Sequence, residues 1–119
     1  FQEISSTLTT QFKVISKTCD KLKNNKRLRT LLTILLAFGN HMNGGTKKGQ
    51  AYGFDLKILP QLADIKTFDN SKNFVMYIYE FCDRNYPDVL KVVEELSPML
   101  KRASASLFYY YYLFIYLFV

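Results

Sequence analysis

Tryptophan is absent from this 119-residue sequence, histidine occurs once, cysteine twice, proline three times and glycine five times. The two isolated cysteines and the lone histidine form none of the closely spaced sets that zinc sites use, so no metal or other cofactor is predicted. With so few prolines and glycines, long uninterrupted stretches carry apolar residues at helical spacing. The sequence therefore predicts an all-α fold, and its length suits one domain or a piece of one.

Secretion is not predicted either, because the sequence shows no basic segment followed by an apolar run and a small-residue cleavage site. Cys19 and Cys82 each lie among apolar residues at helical spacing. That placement predicts buried, reduced thiols rather than a disulfide. We therefore expect a cytoplasmic protein.

Acidic residues are scarce in the first part of the sequence. Residues 13–29 contain seven lysines and arginines but only one acid, Asp20, within a chain of formal net charge +6. Such a segment can attract a polyanion or an acidic protein surface, or it can be an ordinary solvated helix face. Both interpretations stay open from the sequence.

Apolar residues at steps of three or four predict a first amphipathic helix over residues 4–22. A second helix, apolar almost all round, is predicted over 28–38, ending at Gly39 because glycine commonly follows a helix. Residues 40–53 are glycine- and asparagine-rich and predict an ordered loop.

The second half of the sequence predicts several shorter helices. They are expected near residues 55–62 and 74–85, followed by a turn at Tyr86-Pro87 and an apolar stripe over 89–96. Ser97-Pro98 predicts the entry to a last helix. The total is five or six helices without an internal repeat.

Residues 104–119 end in the uncharged run LFYYYYLFIYLFV, which has no polar face at helical or strand spacing. We expect the domain to cover residues 1–103 and this tail to lie outside it. Three explanations are open: translated non-coding sequence after a truncated gene, a tail anchor, or a buried strand. The abrupt change of composition favours the first, and the run is shorter than a membrane span requires.

The strongest local signal is GNHMNGG at residues 39–45, followed by GQAYGF at 49–54. The spacings of nucleotide-binding glycine loops are absent and no strand precedes the motif, which argues against a phosphate site. Asparagine side chains can close a helix-ending turn by bonding local backbone, and they can also bond across an interface. The two roles are compatible.

An apolar helix ending in GN-x-x-N, a glycine-rich loop, G-x-A-x-GF, a leucine-bearing segment and D-x-K follow one another over residues 31–66. This series resembles the signature of formin homology 2 domains. The resemblance extends less sharply over residues 1–103, including Asn85-Tyr86-Pro87. It implies an elongated helical bundle: the end of the coiled-coil region, the post and the start of the returning helix.

The resemblance implies a mechanical rather than an enzymatic function. Family members nucleate and elongate actin filaments at the barbed end as homodimers, and the lasso of each subunit wraps the post of the other. The lasso and the knob would precede residue 1, so this chain would be incomplete. The implied partners are actin and a second copy, in the cytoplasmic actin cytoskeleton, without a cofactor, a small-molecule substrate or a membrane.

The resemblance also implies roles for particular residues. Lys66 matches a position that binds actin. His41 and Ile65 depart from the tyrosine and threonine common in the family, and we expect His41 to be a packed or hydrogen-bonded loop residue without a catalytic or metal role. The implied lasso-receiving site consists of Gly39, Asn40, Asn43, Gly53 and Phe54.

Two other interpretations are a generic helical interaction scaffold and a nucleic-acid binder that uses residues 13–29. A scaffold would explain the apolar stripes but not the ordered glycine and asparagine series. The basic helix has no exposed aromatic residue, because Phe12 is expected to be buried by the stripe. Only salt-dependent binding to a nucleic-acid backbone would then be available.

Overall fold

A computed structural model describes the backbone of residues 1–118 and the side chains of residues 1–106. Over this part of the chain the β pairing consists of one isolated antiparallel bridge, between Lys66 and Asn73. The predicted all-α fold is confirmed. The helices are α1 (Gln2–Asn24), α2 (Lys26–Met42), a 3-10 helix (Leu56–Asp64), α3 (Phe74–Asn85) and α4 (Pro87–Phe118).

Two helix boundaries differ from the predictions. Helix α2 passes Gly39 and ends at Met42, because the Asn43 amide donates to the Gly39 carbonyl at 3.0 Å and continues the helical ladder. The single helix α4 replaces the two predicted helices, although Pro98 lies inside it. Pro98 removes one helix hydrogen bond, but a buried stripe runs past it through Val92, Leu96, Met99 and Ala103.

The chain divides into two compact units: residues 1–25 with 92–119, and residues 26–91. In the first unit, α1 buries only Thr18, whose hydroxyl donates to the Val14 carbonyl at 2.8 Å. The predicted burial of Phe12 is wrong, since 64% of this residue is exposed. Cys19 is exposed as well, also against prediction.

The second unit has its core on α3. Phe74, Ile78 and Cys82, spaced by four residues, form the buried row, and Cys82 is wholly buried, as predicted for this thiol. Burial raises the pKa of Cys82, which keeps it protonated and unreactive. The partly buried side chains that pack against this row are Leu31, Ile34, Leu35, Phe38, Leu62, Phe81 and Leu90.

Side-chain caps fix where the helices of the second unit begin. Asn73 caps α3 by accepting from the Met76 amide at 2.8 Å. Asp55 accepts from the Lys57 amide at 2.9 Å and starts the 3-10 helix, which is the short helix predicted after the loop. These caps satisfy amides that have no partner inside the helix.

One residue of the basic segment has a structural role. Arg27, in the first turn of α2, forms a two-pronged ion pair with Asp88 of α4, with Nε to Oδ2 at 3.0 Å and Nη2 to Oδ1 at 3.1 Å. The hydrogen bond from Arg27, and then one from Lys91, lowers the pKa of Asp88. Both partners are partly solvated, so the pair orients the helix ends more than it stabilises them.

The backbone of α4 stays helical through residue 118, so the strand among the explanations for the tail is not formed. Within the described residues, no helix combines the length and the apolar composition needed to cross a bilayer. The side chains of residues 107–119 lie outside the described part of the chain. The proposed domain limit at residue 103 stays a prediction.

Replacing Ile78 with alanine tests this core. Ile78 is 5% exposed, and truncation should lower the free energy of unfolding by roughly 2–5 kcal/mol because it leaves a cavity in the α3 row. The matched control is Val75→Ala on the same helix, where 46% of the residue is exposed. Urea denaturation followed by circular dichroism makes the comparison. Equal losses for the two variants would contradict the assignment of this core.

Candidate protein-binding surface

The loop after α2 is built as a series of tight turns. The Thr46 amide and hydroxyl both donate to the Asn43 carbonyl, at 3.0 and 2.7 Å, and the Gly49 amide donates to the Thr46 carbonyl at 3.1 Å. The Asn43 side-chain amide donates to the Gly39 carbonyl at 2.9 Å and closes the last helical turn. The segment is therefore ordered, as its composition predicted.

Asn40 fastens the far end of this loop to α2. Its side-chain Nδ2 donates to the Ala51 carbonyl at 2.9 Å, and its Oδ1 accepts from the Ala51 amide at 2.8 Å. The side chain therefore pairs with Ala51 as a neighbouring β-strand would. This clamp brings residues 51–54 back against the end of α2.

Glycine is required at two positions of the loop. Gly45 has a φ of +77°, where a β-carbon would be strained. At Gly49 a β-carbon would lie 2.7 Å from the Asn43 carbonyl oxygen, closer than atoms can approach. Glycine at these positions lets the chain turn back tightly toward Asn40.

The clamp and the turns create a cleft of about 190 Å³, here called the loop cleft. All five residues that the sequence assigned to a lasso-receiving site line it: Gly39, Asn40, Asn43, Gly53 and Phe54. Its other lining residues are Leu35, Leu36, Met42, Lys48, Ala51, Ile58, Leu62, Ile65 and Phe74. The loop cleft is thus an apolar depression with backbone and amide groups at one side.

Lys66 is held in place by its neighbours. The Phe74 amide donates to the Ile65 carbonyl at 2.7 Å, and the Thr67 amide donates to the Lys72 carbonyl at 2.8 Å. These bonds fix the backbone on both sides of Lys66, while its side chain is exposed. None of the ion pairs described for residues 1–106 involves the Lys66 ammonium.

The turn that follows Lys66 is stiffened by Asp69. Its carboxylate accepts from the Thr67 hydroxyl at 2.6 Å and from the Ser71 hydroxyl at 2.8 Å and amide at 3.1 Å. These bonds, that from Thr67 foremost, lower the pKa of Asp69 to about 2. Their contribution to stability is present in full above the ordinary carboxyl pKa and is lost as the pH falls towards about 2.

A second depression of about 220 Å³ lies beside Lys66, here called the aromatic groove. Its lining includes His41, which was expected to be a packed or hydrogen-bonded residue of the loop. Instead, His41 lies in the last turn of α2 and is exposed. Its full lining is Phe38, His41, Met42, Ile65, Lys66, Thr67, Phe74 and Tyr77.

The two depressions are neighbours, because Met42, Ile65 and Phe74 line both. The sequence assigned no binding role to Met42 or Tyr77. Tyr77 lies three residues after Phe74 and four before Phe81, which places it at the edge of the core stripe of α3. This helical spacing is the sequence signal that could have pointed to Tyr77, and it does not distinguish a residue of the core from a residue of the groove.

Metal sites use closely spaced sets of ligand side chains. Among the described residues, no group of three or more histidine, cysteine, aspartate or glutamate side chains could hold a metal ion. The surface offers apolar depressions, amides and a lysine, which are means of binding a protein.

The sequence profile of the formin homology 2 domain matches residues 1–108. The chain belongs to the formin homology 2 domain family. It is 32% identical over 106 residues to human Protein diaphanous homolog 3, which covers 89% of this chain and 9% of that protein. Human Formin-2 is 42% identical over 89 residues, covering 74% of this chain and 5% of that protein.

Formin-F of Dictyostelium discoideum is 35% identical over 94 residues, or 79% of this chain. The chain spans 8% of Formin-F, so all three relatives are many times longer. The resemblance found in the GN-x-x-N and D-x-K motifs is thereby confirmed as family membership. The roles assigned to individual residues stay predictions.

Replacing Gly49 with alanine should open the loop. A β-carbon would lie 2.7 Å from the Asn43 carbonyl oxygen, so the turn must shift and the Asn40–Ala51 clamp should weaken. We expect a loss of roughly 1–3 kcal/mol in unfolding free energy and faster hydrogen exchange of the Ala51 amide. Gly53→Ala is the matched control, because nothing lies within 4 Å of a β-carbon there. Unchanged exchange at Ala51 in the Gly49 variant would contradict this account.

Proposed function

We propose that this chain is part of an actin-assembly module of the formin type, which acts as a homodimer and nucleates and elongates filaments at their barbed ends. The observation that carries the proposal is the meeting of Gly39, Asn40, Asn43, Gly53 and Phe54 in one cleft, in a chain of this family. Residues up to 15 positions apart in the sequence, from Gly39 to Phe54, are brought together there.

The size of the loop cleft suits a protein side chain. Small-molecule sites usually measure roughly 300–1,000 Å³, and the cleft measures about 190 Å³. An apolar depression beside backbone groups is suited to an extended segment with an aromatic anchor. The proposed occupant is the lasso of a second subunit.

The two asparagines would serve this cleft in different ways. Both polar groups of the Asn40 side chain are used by Ala51, so Asn40 would shape the cleft rather than bind the lasso. Asn43 uses Nδ2 on the Gly39 carbonyl. None of the hydrogen bonds described for residues 1–106 uses its Oδ1, which is therefore the candidate acceptor for a lasso donor.

Lys66 is the proposed contact with actin. Its backbone is fixed on both sides and its side chain is exposed, so the ammonium group is accessible to a partner from a fixed point of the surface. The net charge of +6 would speed the approach to an acidic partner at low salt. This function binds and positions actin subunits and has no chemical step.

Lys66→Ala tests the actin contact in a complete formin homology 2 domain that contains this chain. Loss of one exposed charge pair should weaken actin binding by about fivefold and slow the assembly of pyrene-labelled actin. Lys57→Ala, an exposed lysine that lines neither depression, should assemble actin normally. Assembly by the Lys66 variant at the rate of the control would remove Lys66 from the actin site.

Asn40→Ala combined with Asn43→Ala tests the dimer contact in the same domain. Without the clamp to Ala51 the loop cleft loses its wall, so the dimer should dissociate to monomers at concentrations where the unaltered domain is dimeric. Sedimentation velocity measures this shift. Asn24→Ala is the control, because Asn24 only donates to the Asp20 carbonyl of its own helix. A dimer that persists in the double variant would refute the assigned role.

A further inference from the structure

The function proposed so far uses only Lys66 of the aromatic groove and the three residues that this groove shares with the loop cleft. The remaining lining has the construction of a pocket for a side chain. The Phe38 and Tyr77 rings pack edge to face, with centroids 5.6 Å apart and planes at 85°. Phe38 also packs against Phe81 with centroids at 4.9 Å. These contacts hold the rings that line the groove in fixed orientations.

Apolar surface remains accessible in this groove. Met42 is 53% exposed, Tyr77 44% and Ile65 40%, whereas Phe74 beneath them is buried. An adaptable methionine beside a rigid aromatic ring is a combination that binding surfaces use. The groove can therefore bury an incoming apolar side chain.

The positive charge around the groove favours a partner that carries a negative charge. None of its lining residues is acidic, and Lys66 is among them. Helix α3 starts at Phe74, so its positive N-terminal end lies at the same groove. Two acids on the neighbouring segments already have partners: Asp69 accepts from Thr67 and Ser71, and Glu80 pairs with Lys72 at 2.7 Å.

We propose that the aromatic groove binds an apolar side chain of a protein partner while Lys66 pairs with a carboxylate next to that side chain. The inference rests on the proposed function, under which this partner is actin. Tyr77 and Met42 supply the apolar contact, and Lys66 supplies the charge. The actin site is then a pocket with a charged rim and not a single lysine.

A two-part site differs from an isolated lysine in its energetics. An exposed ion pair alone changes an equilibrium constant by no more than about fivefold and is screened by salt. An apolar contact that excludes water adds affinity that salt leaves almost unchanged. The two parts can therefore be separated by measuring affinity at two ionic strengths.

The test uses a complete formin homology 2 domain containing this chain and measures its affinity for actin at about 50 and about 200 mM salt. Tyr77→Ala should weaken binding roughly tenfold at both salt concentrations, and Tyr77→Phe should restore it because the ring remains. Met42→Gln is a second variant, in a residue outside the core. Tyr79→Ala is the control, since Tyr79 lies on α3, is 58% exposed and does not line the groove.

The outcomes separate this inference from the proposed function. Weak binding by the Tyr77→Ala and Met42→Gln variants, with the dimer intact by sedimentation and a normal Tyr79 control, supports the groove. A weakened Lys66→Ala variant beside normal Tyr77 and Met42 variants overturns the groove and leaves the actin contact standing. Normal binding by all three overturns both. A Lys66→Ala variant that keeps full salt dependence overturns the pairing with a carboxylate.

Discussion

The double hydrogen bond between the Asn40 side chain and the Ala51 backbone, at 2.9 and 2.8 Å, is the interaction on which the candidate surface depends. It joins the end of α2 to residues eleven positions later and so returns Gly53 and Phe54 to the helix. Without it, the glycine-rich segment would have only its local turns to hold it. An amide side chain can do this because it carries one donor and one acceptor, as a peptide group does.

The surface formed in this way combines two depressions that share a wall. Met42, Ile65 and Phe74 contribute to both the loop cleft and the aromatic groove. Phe74 is fixed from below by the α3 core row and from the side by the bond from its amide to the Ile65 carbonyl. Because Phe74 belongs to the core and lines both depressions, the core fixes the distance between them.

Much of the helical fold could be predicted from the sequence, and the failures have physical causes. The helix predicted near residues 74–85 is α3, and the predicted burial of Cys82 within it is confirmed. Local signals failed at Gly39, which was predicted to end a helix, and at Pro98, which was predicted to begin one. Backbone hydrogen bonding at Gly39 and buried packing around Pro98 override these preferences. The stripe on α1 predicted burial of Phe12, but periodicity indicates which face is apolar and not whether a neighbour covers it.

The sequence by itself determined the all-α class, because helical spacing is a local property. Its ordered motif resembled one family, and that resemblance implied five of the residues that line the loop cleft. Only the tertiary structure showed that both polar groups of the Asn40 side chain form hydrogen bonds with the Ala51 backbone. It also decided that Tyr77 and Met42 form a groove with Lys66. These facts depend on contacts between different segments of the chain, and the side-chain partners of such contacts leave no periodic signal in the sequence.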